Sequence, residues 1–173
     1  MVATLDINVD GLAEVLREVR KIEPELVRDI QRNMKQVGAP IVTTARGLMP
    51  TPAPLSNWSR WDNRGRSRAW TKKAKTSVKL KTNTGAPKAA KEIVILEVLA
   101  TDGAAAIFEN AGRHPDPSSR QGEAFIRNLE NRWGESPRFL WPAVQQNMRH
   151  VRREVQDVID NWLDDFEQRM DDL

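Results

Sequence analysis

The sequence predicts an α+β fold: a small antiparallel sheet packed against long helices at the N-terminal and C-terminal ends, the N-terminal one kinked. Three observations predict it. Apolar residues recur at steps of three and four near both ends of the chain, which is helical spacing. They alternate in short runs at the start and in the middle, which is strand spacing. Strand-like and helix-like runs are also segregated along the chain, unlike the regular alternation of a wound parallel sheet. A length of 173 residues with 39% hydrophobic content suits one domain with its own core, so positions 1–173 are read as a single domain.

Leu5, Ile7 and Val9 alternate with Asp6 and Asn8, predicting a short strand over Thr4 to Val9. Asp10 is placed to cap a first helix carrying Leu12, Val15, Leu16, Val19 and Ile22. Pro24 suits the first turn of a second helix, where its missing N–H would be unpaired anyway. The stripe of that helix (Leu26, Ile30, Met34, Val37, Ile41, Ala45, Leu48) keeps its phase through Pro40, predicting one long helix kinked there and ended by Pro50 and Pro52. Pro50 to Trp70 shows no apolar period and reads as a long loop, the core of an extended Trp- and Arg-rich arm over 50–75. Val78, Leu80 and Thr82 alternate again, and after the turn at Thr84 to Pro87 the β-branched run Ile93 to Val98 completes a hairpin. Ala104 to Glu109 is short and apolar. A second loop over 113–121 precedes a short amphipathic helix from Glu123 to Trp133, closed by Gly134. From Pro142 to about Met170 the stripe Val144, Met148, Val151, Val155, Val158, Trp162 and Phe166 predicts a long helix whose seam faces the core of its own chain in preference to a coiled-coil partner.

Composition removes several kinds of chemistry. With no cysteine, the chain has no disulfide, thiolate metal site or cysteine nucleophile. Its two histidines, His114 and His150, have no metal-ligand spacing, and Glu109, His114 and Asp116 form no recognisable acid–base motif. Catalytic, cofactor-binding and metal-binding residues are therefore all expected to be none, and the protein is read as a non-enzyme. The longest apolar run, Ile93 to Ala100, is interrupted by Glu97 and is far short of the roughly 20 residues of a membrane helix. The N-terminus lacks a basic region followed by an apolar one, so a product made in the cytoplasm is expected.

Charge is the informative feature. The formal total is +3, yet positions 58–91 hold eleven basic residues against Asp62, a net +10, while positions from 154 onward hold eight acids against Arg169, a net −7. Two such patches suit a contact between copies or with a partner, and Trp and Arg are the residue types enriched at such contacts. The candidate interface is Trp58, Arg60, Trp61, Arg64, Arg66, Arg68, Trp70, Lys72 and Lys73 on the basic side, with Asp164, Asp165 and Glu167 on the acidic side. The tryptophans are expected to be anchors that face a partner. The alternative is a nucleic-acid-binding accessory protein using the basic arm over 58–91.

Three stretches carry a resemblance. Val42 to Pro50, at the end of the second helix, resembles the "v-x-x-x-A-r-x-x-x-P" segment of the neck or tail-completion family of long-tailed bacteriophages, related to the lambda minor tail protein Z. Ala106 to Arg113 is similar to that family's "ya-x-x-x-E-x-G" segment, in the longer "E-x-A-G-R" form of its actinobacteriophage members, and Pro137 to Ala143 to its "p-x-f-l-x-p-A" segment. The insertion between Pro50 and Trp70 departs from the family pattern. The resemblance implies a structural virion protein, made in the host cytoplasm, that forms a ring at the head-proximal end of the tail and joins tail to capsid. It implies as partners other copies of the chain (a hexamer favoured over a dodecamer), an adjacent connector or head-closure ring, and tail-tube proteins. Genomic DNA would pass through the lumen without sequence-specific binding, and no membrane would be involved. Glu109, Gly112, Pro137 and Pro142, with Pro40 and Pro50, are read as structural: a turn after the hairpin, a position tolerant of positive φ, and the start of the last helix.

Overall fold

A computed structural model describes residues 2–5, 12–56, 58, 69–82, 96–113 and 119–171, with side chains described from residue 15 onward. The chain is mostly helical, with a small antiparallel sheet and long helices toward both ends, so the fold is α+β. In order the elements are β1 (Val2–Leu5), α1 (Leu12–Ile22), α2 (Pro24–Leu48), α3 (Lys72–Thr76), β2 (Val78–Thr82), β3 (Leu96–Ala100), α4 (Gly103–Asn110), α5 (Arg120–Trp133) and α6 (Leu140–Asp171). The sheet has the order β1-β3-β2, which leaves β3 central. The first strand lies earlier than the alternation of Leu5, Ile7 and Val9 predicts. Positions 6–11, including Asp10, fall outside the described residues, as do 83–95 with the predicted hairpin turn.

The chain divides into two compact units, one formed by residues 1–3, 41–79 and 99–145, the other by 4–40, 80–98 and 146–173. In the second unit the predicted stripes are the core. Leu16 and Val19 of α1, Leu26, Ile30, Met34 and Val37 of α2, and Val151, Val155, Ile159 and Trp162 of α6 are all buried. Trp162 is 4% exposed, and its indole N–H donates to the Leu26 carbonyl at 3.0 Å, so the one polar group of a large buried ring has a partner. Gly38 marks a close approach. A Cβ at this position would lie 2.7 Å from both terminal methyls of Leu80 and 3.0 Å from one of Leu96, so α2 meets these strand residues only because position 38 has no side chain.

α2 runs unbroken from Pro24 to Leu48 with Pro40 inside it, as the continuous stripe predicts. Near its end Ile41, Ala45 and Met49 are buried in the first unit, and the Arg46 guanidinium donates to the Val78 carbonyl at 2.8 Å. One expectation is corrected here. The arm is not irregular as far as position 75, because Lys72–Thr76 is a helix: the Thr71 hydroxyl caps it by accepting from the Lys73 N–H at 3.2 Å, and Ala74 is fully buried. α5 likewise starts three residues before the predicted Glu123, where Ser119 accepts from the Gly122 N–H at 3.1 Å.

Trp162→Ala removes a buried ring together with its hydrogen bond and should destabilise the protein by about 3–5 kcal/mol. Denaturant melts giving a loss below about 1 kcal/mol would contradict its place in the core. Gly38→Ala should cost about 1–3 kcal/mol by overpacking against Leu80, although an alanine in an exposed helix interior is ordinarily stabilising.

Candidate partner interface

The described residues on the basic side of the candidate interface, Trp58, Trp70, Lys72 and Lys73, belong to the first unit, which is built around one joint. α6 begins after Pro137-Arg138-Phe139, with no Ser, Thr, Asp or Asn at the usual capping position, so its first N–H groups need an acceptor from elsewhere. Glu109, on α4, supplies it. One carboxylate oxygen accepts from the N–H groups of Arg138 at 3.0 Å and Phe139 at 2.7 Å, the other from those of Leu140 and Trp141, both at 3.1 Å. The next residue is Pro142, which has no N–H, and the helical ladder then opens with Ala143 donating to the Phe139 carbonyl. A carboxylate at a helix N-terminus is also favoured by the helix dipole. Glu109 is 4% exposed, so this pairing takes place away from water.

Arg138 does the converse at the other helix end. Its Nη1 donates to the carbonyls of Phe108 at 2.7 Å and Ala111 at 2.8 Å, at the C-terminus of α4, and its Nε donates to Gly134 at 2.9 Å. Burial pushes its pKa below the ordinary value, and the negative charges of Glu130 and Glu109 oppose that shift. The guanidinium also lies 5.8 Å from the centre of the Phe108 ring, and the Ser136 hydroxyl donates to the Glu109 carbonyl at 2.6 Å. Gly112, just past α4, has φ +94, the positive value expected for it. Glu109 itself is corrected: it is no turn residue but the remote cap of the last helix. Pro137 precedes α6 and Pro142 sits in its first turn.

Above this joint lies an aromatic cluster. Phe108 meets Trp70, Trp133 and Phe139 with ring centres 5.4, 5.9 and 6.1 Å apart, and Trp58 meets Trp70 at 5.5 Å and Phe125 at 5.1 Å. The Trp133 indole donates to the Pro54 carbonyl at 3.1 Å, which fastens the start of the loop. The expectation that the arm's tryptophans face a partner is therefore corrected for Trp70, which is buried within its own chain against Phe108 of α4. Trp58 is half-buried, packed against Trp70 and Phe125. The Trp70 N–H also donates to the Trp58 carbonyl at 3.2 Å, so the chain leaves and returns at one point. Arg60, Trp61, Arg64, Arg66 and Arg68 fall outside the described residues.

The remaining candidate residues are exposed. Lys72 and Lys73 lie on α3, and Lys79 and Lys81 alternate along β2, whose side chains are otherwise wholly or partly buried. Lys73 and Lys79 border an open polar groove shared with Thr76, Ser77, Thr101 and Asp102, and Asp102 caps α4 by accepting from the N–H groups of Ala104 and Ala105. Asp164, Asp165 and Glu167 stand exposed near the end of α6. His150 is exposed with its Nδ1 3.6 Å from Glu154. Among the described residues no cluster of acids and histidines is placed to hold a metal ion, and no helix is long and apolar enough to cross a membrane.

Comparisons with protein-family models, with curated proteins and with solved structures found no match to this chain.

Glu109→Ala would strip the acceptor from four backbone N–H groups in a buried setting and should cost about 3–5 kcal/mol. Glu109→Gln, which keeps one good acceptor, should cost less. Urea unfolding of the two variants measures the difference, and a Glu109→Ala protein as stable as wild type would rule out the capping role.

Proposed function

We propose that this chain is a structural virion protein of the head–tail connector of a long-tailed bacteriophage, acting as a ring at the head-proximal end of the tail. The observation that supports the reading most is the Glu109 joint. The two stretches that carry the resemblance around it, Ala106 to Arg113 and Pro137 to Ala143, are distant in sequence yet held together by four hydrogen bonds to one carboxylate. A motif glutamate followed by glycine, and a motif proline in the first turn of the last helix, then have a shared physical reason: acceptor, helix stop and N–H-free first turn belong to one device.

A ring needs a heterologous contact, in which two different patches of one subunit complement each other. The basic arm and the acidic end of α6 are such a pair, with a net +10 and a net −7 in the sequence. Ring partners are further copies of the chain, an adjacent connector or head-closure ring, and the tail tube, with DNA passing through the lumen unread. Basic side chains over 58–91 also suit the second reading, a nucleic-acid accessory protein, and the exposed Lys72, Lys73, Lys79 and Lys81 favour keeping it in the test. The two readings differ in salt dependence, since binding through several phosphate contacts falls steeply between about 50 and 200 mM salt.

The triple variant Arg64→Ala, Arg66→Ala, Arg68→Ala should fold with an unchanged melting temperature yet lower the yield of tailed, infectious particles at least tenfold on complementation. Wild-type yield from that variant would count against the connector reading. Duplex or single-stranded DNA retained by the wild-type protein at about 150 mM salt and released only at higher salt would favour the nucleic-acid reading instead.

A further inference from the structure

The acidic end of α6 breaks a local rule. Asp164, Asp165, Glu167 and Asp171 are exposed in its last two turns, where the helix carbonyls already carry negative partial charge, and Arg169 is the basic residue of the last turn. These side chains weaken the helix that carries them, and departures of this kind collect at functional sites.

The same end is apolar at its tip. Phe166 is half-buried and stacks on Trp162 at 6.2 Å, Met170 one turn on is 42% exposed, and Ile22 at the close of α1 is 53% exposed. Arg169 reaches within 3.6 Å of the Glu23 carboxylate, which brings the last turn of α6 to the corner between α1 and α2. Met170 and Ile22 are the sequence neighbours of those two residues. Phe166 and Met170, four residues apart, share one face of α6, and Asp165 and Glu167 flank that face.

Its complement is in the same chain. Segment 59–68 carries Arg60, Arg64, Arg66 and Arg68 against Asp62, a net +3, and its two ends are clasped by the hydrogen bond between Trp70 and Trp58. Because Trp58 and Trp70 belong to the aromatic cluster of their own chain, Trp61 is the remaining aromatic of the arm. We propose that segment 59–68 of one copy docks on the tip formed by Ile22, Phe166 and Met170 of a second copy. Trp61 lies against the apolar residues, and the arginines lie against the flanking Asp165 and Glu167. The proposal rests on the self-assembly reading above and names its socket. Donor and acceptor patches differ, so the contact propagates from subunit to subunit.

The absence of cysteine makes a clean test. Two full-length proteins, one carrying Ser67→Cys and the other Gln168→Cys, are mixed at about 100 μM in low salt under mild oxidation, and disulfide-linked heterodimer is followed on non-reducing gels. Gln121→Cys, an exposed position on α5, replaces Gln168→Cys as the control. Heterodimer should form roughly tenfold faster than in the control. It should fall to the control rate when Trp61→Ala is added to the first protein, when Asp165→Lys and Glu167→Lys are added to the second, or when salt is raised to about 0.5 M, where the screening length is short. Cross-linking no faster than the control, cross-linking indifferent to Trp61→Ala, or a doubly substituted chain that closes only within its own monomer would each overturn the proposal. Failure here is separable from failure of the connector reading. Protein found in the virion without this cross-link sinks only the docking, whereas cross-linking by a protein missing from the virion sinks only the connector.

Discussion

One buried carboxylate sets the geometry of the first unit. The last helix begins without a capping residue of its own, and the Glu109 side chain accepts from four successive N–H groups that would otherwise be stranded in a dry environment. Arg138 completes the arrangement from the other side by satisfying carbonyls at the end of α4. Each charged side chain thus sits at the helix terminus of opposite partial charge, and the two helix ends are fixed against each other through charge-assisted hydrogen bonds and not through a direct ion pair. The aromatic cluster builds outward from the same place, since Phe108 stacks on Phe139 and meets Trp70 and Trp133.

That joint also carries the base of the basic arm within the first unit. The clasp between Trp58 and Trp70 is anchored on Phe108 and Phe125, so the basic segment between the two tryptophans starts and finishes at the aromatic cluster. The second unit uses another device. α1, α2 and α6 are held by a continuous apolar stripe in which Trp162 is the largest ring and Gly38 admits the close approach of Leu80 and Leu96. Its surface charge then changes sign along α6, from Arg149, Arg152 and Arg153 to the acids that follow.

Much of this was legible in the sequence because the signals are local and periodic. Pro24 starts α2, the stripe from Leu26 to Leu48 passes through Pro40 unbroken, Gly112 takes positive φ, and of the predicted stripe in α6 Val144, Val151, Val155 and Trp162 are buried while Met148 and Val158 are half-buried. What escaped is non-local or short. Lys72–Thr76 has five residues and one buried side chain, too few for a period to register. Trp70 stands in a polar, Arg-rich context whose composition points outward, and its burial depends on Phe108, 38 positions away. Glu109 gave no local hint of its role. The available sign lay elsewhere, in a long helix that opens on Arg138-Phe139-Leu140 with no capping side chain and a proline in its first turn, which obliges some distant acceptor to exist.

The joint holds the base of the basic arm, and the opposed charges are the two surfaces on which the proposed self-assembly rests. Where the protein resides is the question that bears most directly on this account. Immunogold electron microscopy of purified phage particles with antibody to the chain answers it: the account predicts gold clustered at the head–tail junction. Particles free of label, alongside an antibody control that labels another exposed virion epitope, would contradict it.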